Sequence, residues 1–107
     1  MKTSVQKLYD NPLDYEGKGI TIEGWVRTIR SSKDFGFIEL NDGTCFKNIQ
    51  IVFENGIINN FSDVEKLPIA SSISVQGKLI LTPGSKQPFE VKAGNIDICG
   101  VSSPDYP

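Results

Sequence analysis

The chain has 107 residues, a formal net charge of −2, ten glycines, six prolines and no histidine. A chain of this length forms one domain and can bury a hydrophobic core without disulfides. Because histidine is absent, Ser–His and Cys–His nucleophilic pairs are excluded, and a zinc site would have to combine carboxylates with two distant thiols. We therefore expect no metal site and no catalytic residue in this chain.

The sequence contains no apolar run long enough to cross a membrane, and its first residues, Met1–Thr3, start no signal peptide. We expect a cytoplasmic protein with reduced thiols and no membrane partner. The acidic net charge argues mildly against a general nucleic-acid binder. Local segments differ, however, because residues 77–95 contain three lysines against Glu90 alone. One locally basic surface is therefore compatible with the acidic total.

Residues 1–18 predict a short helix followed by a lead-in. Ser4 is a suitable N-cap, and Val5, Leu8 and Tyr9 form an apolar side. An Asn-Pro pair ends the helix after about Asp10 because the residue before proline avoids helical geometry.

Three strands are predicted next, over Ile20–Arg30, Phe35–Asn41 and Phe46–Phe53. Each is rich in β-branched or aromatic residues that alternate with polar ones. Gly24 indicates a bend or bulge in the first strand, and Asn-Asp-Gly at 41–43 indicates a hairpin turn between the second and third.

A short helix is predicted from Asn60 or Ser62 to Leu67, where Pro68 ends it. Two more strands follow, over Ser72–Leu81 and Phe89–Cys99. Five strands with a helix between the third and fourth predict an all-β protein, a five-stranded Greek-key barrel of the OB type. An SH3-like barrel or a sandwich would also use many short strands. We expect the barrel to occupy residues 19–100.

The second strand carries phenylalanine on the side that should face water. Alternation places Ile38 and Leu40 inward and Phe35 and Phe37 outward. In an OB barrel, single-stranded nucleic acid binds across the second and third strands by stacking bases on such rings. Gln50, on the neighbouring strand, can donate to and accept from a base edge. A protein-docking face is an equally good interpretation of the pattern alone.

Reactive side chains are otherwise few. Cys45 and Cys99 lack the cationic surroundings of a reactive thiol, and Glu39 and Glu90 are typical of solvated strand residues. The chain alone is therefore not predicted to be an enzyme.

The motifs GWVRTIR at 24–30, DGTCF at 42–46 and PDYP at 104–107 resemble the N-terminal anticodon-binding domain of asparaginyl-tRNA synthetases, class II relatives of the aspartyl and lysyl enzymes. The resemblance implies that Phe37 stacks on the middle anticodon base, a uridine, and that Gln50 reads its edge. It also places Arg30 near that uridine and the backbone, and Glu90 near the first base, a guanine. Further phosphate contacts are expected from four cations: Arg27, Lys33, Lys78 and Lys86.

The resemblance further implies a parent enzyme that ligates asparagine to tRNA with ATP and Mg²⁺ and forms a homodimer. Nothing in this chain resembles the parts that hold ATP or asparagine, so the domain should need no cofactor and should be a monomer by itself. Residues 101–107 would begin a linker to a missing catalytic domain. Two alternatives stay open: an OB module for protein docking or unspecific single-strand binding, and the same domain of an aspartyl enzyme.

Overall fold

A computed structural model describes residues 2–82, 84 and 88–101 of the chain. Its elements are α1 (Val5–Asp10), a 3-10 turn (Pro12–Asp14), β1 (Gly19–Ser31), β2 (Phe35–Asn41), β3 (Ile49–Glu54), α2 (Phe61–Glu65), β4 (Ser72–Leu81) and β5 (Phe89–Gly100). The strands close into a barrel in the order β1-β2-β3-β5-β4. Neighbours are antiparallel except β3 and β5, which run parallel. The predicted fold class, a five-stranded OB-type barrel, is confirmed.

The alternation of β2 and β3 fills the barrel with aliphatic side chains. Ile38 and Leu40 of β2 and Ile51 of β3 are fully buried, and each buried side chain of this size stabilises the fold by about 1.5–3 kcal/mol. At Gly36 a Cβ would lie 2.4 Å from the ring carbon Cζ of Phe53. Glycine is therefore required at this inward position because the buried Phe53 ring occupies the space.

Helix α1 is held by the loop that follows β2. The Ser4 hydroxyl accepts a hydrogen bond from the Lys7 backbone N–H, as predicted for an N-cap. The Asp42 carboxylate accepts from the Val5 backbone N–H at 2.9 Å, and the Thr44 hydroxyl accepts from the next backbone N–H at 3.0 Å. These donors have no partner inside a helix, and a helix of one or two turns is not stable alone. The Asp-Gly-Thr motif therefore anchors α1 to the barrel.

Strand β3 begins at Ile49, and the prediction that it begins at Phe46 was wrong. The Asn41 side chain draws residues 42–48 into a loop, since its amide donates to Asn48 Oδ1 at 3.0 Å and to the Cys45 carbonyl at 3.3 Å. Its Oδ1 accepts from the Gly43 backbone N–H at 2.8 Å. Such side-chain hydrogen bonds compete with the strand ladder.

Helix α2 is shorter than predicted and is not capped by a side chain. It ends at Glu65 rather than Leu67, and Lys66 is its C-cap residue. Asn60 occupies the N-cap position, but its amide donates to the Ile96 carbonyl at 2.9 Å instead of capping the helix.

The bulge in β1 lies later than Gly24 predicted. The register with β2 shifts between Val26 and Thr28, so Arg27 is the extra residue. Gly24 itself permits a close approach, because a Cβ there would lie 2.6 Å from the Asn41 carbonyl oxygen.

Predictions at Lys86, in the PDYP motif and in the linker from residue 102 onward lie outside the described residues. The domain boundaries at residues 18 and 100 stay predictions. In the part of the chain that the structure describes, no helix is long and apolar enough to span a membrane.

Candidate nucleic-acid interface

The outward side chains of β2 and β3, here called the β2–β3 face, include Phe37 near their centre. In the ladders Phe37 lies opposite Arg30 of β1 and opposite Val52 of β3. Its ring meets the Phe35 ring edge to face, with centroids 5.5 Å apart. Phe35 is 43% exposed and Phe37 is half-buried. The face therefore presents two perpendicular rings beside a guanidinium group.

A cleft of about 230 Å³ opens next to these rings. Arg30, Ser31 and Ser32 line its β1 side, and the two phenylalanines line the other. The Ser32 hydroxyl donates to the Phe35 carbonyl at 3.2 Å, which closes the turn between β1 and β2. The cleft combines an apolar wall with hydroxyl groups and a cation, and aromatic rings beside cations are typical of surfaces that bind single-stranded nucleic acid.

Gln50 and Glu90 meet although they are 40 residues apart in sequence. The parallel pairing of β3 with β5 brings them together, since Ile51 lies opposite Val91. The Gln50 amide donates to a Glu90 carboxylate oxygen at 3.5 Å. This contact directs the amide nitrogen toward the carboxylate. The Gln50 carbonyl oxygen and the second Glu90 oxygen then serve as acceptors next to each other.

Helix α1 and the 42–48 loop border the face. The Tyr9 hydroxyl donates to the Asn48 carbonyl at 2.7 Å, and the Asn48 amide donates to Glu39 at 3.5 Å. Burial raises the pKa of the Tyr9 hydroxyl above its ordinary value of 10.0, and the negative charges of Cys45 and Glu39 raise that pKa further. The protonated Tyr9 hydroxyl therefore donates the hydrogen bond that joins α1 to the 42–48 loop at this border.

The predicted phosphate-contacting cations are spread more widely than the reading residues. Arg27 is exposed at the β1 bulge, and Lys33 is exposed in the turn between β1 and β2. Lys78 lies on β4, which pairs with β1 and β5 and not with β2 or β3. Among the described residues one ion pair is present, between Lys2 Nζ and Glu23 Oε1 at 2.7 Å. The cations near the face therefore form no ion pair with described residues.

The structure adds residues that the sequence-based prediction of the site did not include. Ser31 and Ser32 line the cleft beside Phe37, and Lys92 lies beside Glu90 on the same side of β5. Alternation places Lys92 and Glu90 on the same side of β5. It does not predict that β3 lies next to β5 in parallel. No group of three metal-binding side chains is found among the described residues.

A closed five-stranded barrel with outward-facing aromatic rings on its second strand is typical of OB-class nucleic-acid-binding domains. A family model described as an OB-fold nucleic acid binding domain, of the tRNA anticodon type, matches residues 20–98. The chain belongs to this family, and the resemblance predicted from its motifs is confirmed.

Curated proteins with high sequence identity to this chain carry the name asparagine–tRNA ligase. The chain is 58% identical to the asparagine–tRNA ligase of Acetivibrio thermocellus and 56% identical to that of Alkaliphilus metalliredigens, in both cases over 100% of its length. It spans 23% of the length of each. The asparaginyl-tRNA synthetase of Pyrococcus horikoshii, complexed with asparaginyl-adenylate, matches the whole chain with a TM-score of 0.83 and 23% identity, over 24% of that structure. The last match shows the shared fold.

Proposed function

We propose that this chain is the anticodon-binding domain of an asparagine–tRNA ligase and that its β2–β3 face reads the asparagine anticodon. One observation carries the proposal: Phe37 stands on the outer face opposite Arg30, with the Gln50–Glu90 pair on the adjoining strands. The identity of 58% to an asparagine–tRNA ligase over the whole chain supports the choice of tRNA.

The middle anticodon base, a uridine, stacks on Phe37. Stacking on an aromatic ring contributes about 1–3 kcal/mol for one base and is tolerant of base identity. Discrimination comes from Gln50, whose carbonyl oxygen accepts from the uridine N3–H while its amide donates to a uridine carbonyl. Cytosine has an acceptor at N3 and would place it against that carbonyl oxygen. Arg30, opposite Phe37, donates to the uridine or to the backbone.

The first anticodon base, a guanine, is read by Glu90. A guanine edge offers N1–H and the N2 amino group as neighbouring donors, and an ionised carboxylate is an acceptor with two oxygens. The hydrogen bond from Gln50 orients this carboxylate. Adenine presents an acceptor at N1 and would face the carboxylate with like partial charge.

Phosphate contacts come from Arg27 and Lys33 in β1 and the turn that follows it, and from Lys78 on β4. Lys86, outside the described residues, is proposed as a fourth contact. With a net charge of −2 the domain has little unspecific attraction for RNA. Each neutralised phosphate of a single strand contributes about −0.7 to the log–log salt slope, so a shallow salt dependence is expected.

The catalytic steps belong to the remainder of a longer protein. ATP, Mg²⁺ and asparagine would bind in its catalytic domain, and the present domain would contribute tRNA selection alone. We further propose that the parent is a cytoplasmic homodimer and that the isolated domain is a monomer.

A base substitution tests the reading role directly. The chain should prefer a GUU stem-loop over a GCU stem-loop by about tenfold, since one edge contact of about 1–2 kcal/mol is replaced by two opposed acceptors. Gln50→Ala should reduce this preference to less than about twofold, because stacking on the ring survives. Gln6→Ala on α1 is the matched control and should keep the preference. An unchanged preference in Gln50→Ala would refute the assignment.

A further inference from the structure

A groove of about 550 Å³ lies beyond Glu90 on the outer side of the barrel. Its walls include Ile57, which follows β3, and Ile80 of β4, which are 56% and 41% exposed. Lys78 and Lys92 also line it. We call it the lysine groove. It combines exposed apolar surface with two cations, and none of these four side chains has a part in the proposed reading of the anticodon bases.

The lysine groove is continuous with the proposed reading site. A smaller cleft of about 260 Å³ is lined by Val52, Glu54, Ile80, Glu90 and Lys92, and it shares Ile80 and Lys92 with the groove. In the ladders Ile80 lies opposite Glu90, and Val52 lies opposite Lys92. An RNA strand that leaves Glu90 on the β4 side therefore enters the lysine groove.

Two like charges face each other at the lysine groove. Lys78 lies directly opposite Lys92 in the β4–β5 ladder, and like charges in that position destabilise a sheet. Neither forms an ion pair with a described residue, although the Glu54 and Glu90 carboxylates line the adjoining cleft with Lys92. A phosphate group over the pair would offset the repulsion.

We propose that the lysine groove binds the nucleotide immediately 5′ of the anticodon. Its base would lie against Ile57 and Ile80, and its phosphate would be bound by Lys78 and Lys92. The direction rests on the proposed function: if Glu90 binds the first anticodon base and the β2 ring binds the second, the RNA runs 5′ to 3′ from β5 toward β2. The preceding nucleotide must then lie on the β4 side of Glu90.

The test removes one base from the RNA and the apolar wall from the protein. Affinity of the chain is measured for a GUU anticodon stem-loop and for the same RNA with an abasic ribose immediately 5′ of the triplet. The loss should be about five- to tenfold for the unmodified chain, from the apolar area that the base covers. It should fall below about twofold in the Ile57→Ser, Ile80→Ser double variant. Ile69→Ser, which alters an exposed isoleucine outside the groove, should keep the full loss.

The lysines are tested separately by the salt dependence. Lys78→Gln with Lys92→Gln should make the log–log slope shallower by about 0.7 for each phosphate that the variant no longer neutralises. An equal abasic loss in the unmodified chain and the isoleucine variant, or an unchanged slope, would overturn the proposal. If the isoleucine variant does not fold, the single Ile57→Ser variant and the slope decide.

The preference for GUU over GAU, measured in the same titrations, separates the two proposals. Loss of that preference in the unmodified chain would refute the reading function and this inference together. If the preference for GUU is preserved but the abasic loss is the same with and without the two isoleucines, this inference alone would be refuted.

Discussion

Replacing Phe37 with alanine tests whether its ring binds RNA or stabilises the core, because the two roles predict different losses of stability. The ring is half-buried and contacts Phe35 edge to face at 5.5 Å. An aromatic pair of this geometry contributes about 0.5–1.5 kcal/mol beyond the area that it buries, so Phe37→Ala should lower the free energy of unfolding by about 1–2 kcal/mol. A fully buried phenylalanine would instead lose about 3–5 kcal/mol.

The same substitution should have a large effect on RNA. If one base stacks on Phe37, the variant should lose about 1–3 kcal/mol of binding to the GUU stem-loop, which is about five- to 150-fold in affinity. Fluorescence titration gives the affinity, and urea unfolding of the same samples gives the stability. Phe37→Tyr keeps the ring and should retain binding. Phe46→Ala removes a ring that is fully exposed on the 42–48 loop and should change neither quantity.

Two other outcomes would exclude Phe37 as the specific stacking ring. A Phe37→Ala variant that loses about 3–5 kcal/mol of stability but binds RNA normally would make Phe37 a core residue. A loss of binding in Phe46→Ala equal to that in Phe37→Ala would show that any exposed ring contributes and that the face is not special.

Two predictions concern how the border of the face is built. Asp42→Ala should lower the free energy of unfolding by about 1–2 kcal/mol, because the Val5 backbone N–H loses its acceptor. Asp42→Asn keeps an acceptor oxygen and should lose less. Equal losses for the two variants in urea unfolding would argue against the capping role. The raised pKa of Tyr9 means that the unfolded chain releases this proton first, so its contribution to stability is complete below pH 10.0 and is lost as the pH rises through the higher folded-state pKa. Tyr9→Phe should therefore lose stability less steeply above pH 10.0 than the unmodified chain in urea unfolding as a function of pH, and parallel slopes would contradict this cause.

Strands with regular alternation could be predicted from the sequence to the residue. The bounds of β2 and β4 match the predicted ones. Buried and more exposed residues alternate along β2, and they alternate in β4 from Val75 onward, although Ser74 before it is also buried. Before β3 the side chain of Asn41 bonds four residues of the 42–48 loop, and such local competition does not follow from periodicity. The same holds for Asn60, whose amide bonds to β5 instead of capping α2.

The candidate site was predictable where one strand carries it and unpredictable where barrel closure assembles it. The outward direction of Phe37 follows from a period of two residues. The contact between Gln50 and Glu90 depends on the parallel pairing of β3 and β5, which joins distant segments and leaves no local pattern. The position of Lys92 beside Val52 depends on the same parallel pairing, whereas Lys78 faces Lys92 across the antiparallel ladder of the consecutive strands β4 and β5.

The most direct test of the central claim is the affinity of the purified chain for a GUU anticodon stem-loop compared with a GAU stem-loop. Adenine stacks on an aromatic ring as uridine does, so the comparison measures edge reading by Gln50 rather than stacking. We predict that the GUU stem-loop binds about tenfold more tightly, since the larger purine places its donor and acceptor differently from those that Gln50 pairs with on uridine. Equal affinity for the two stem-loops would contradict anticodon reading by this domain, because a domain that ignores the middle base does not read an anticodon.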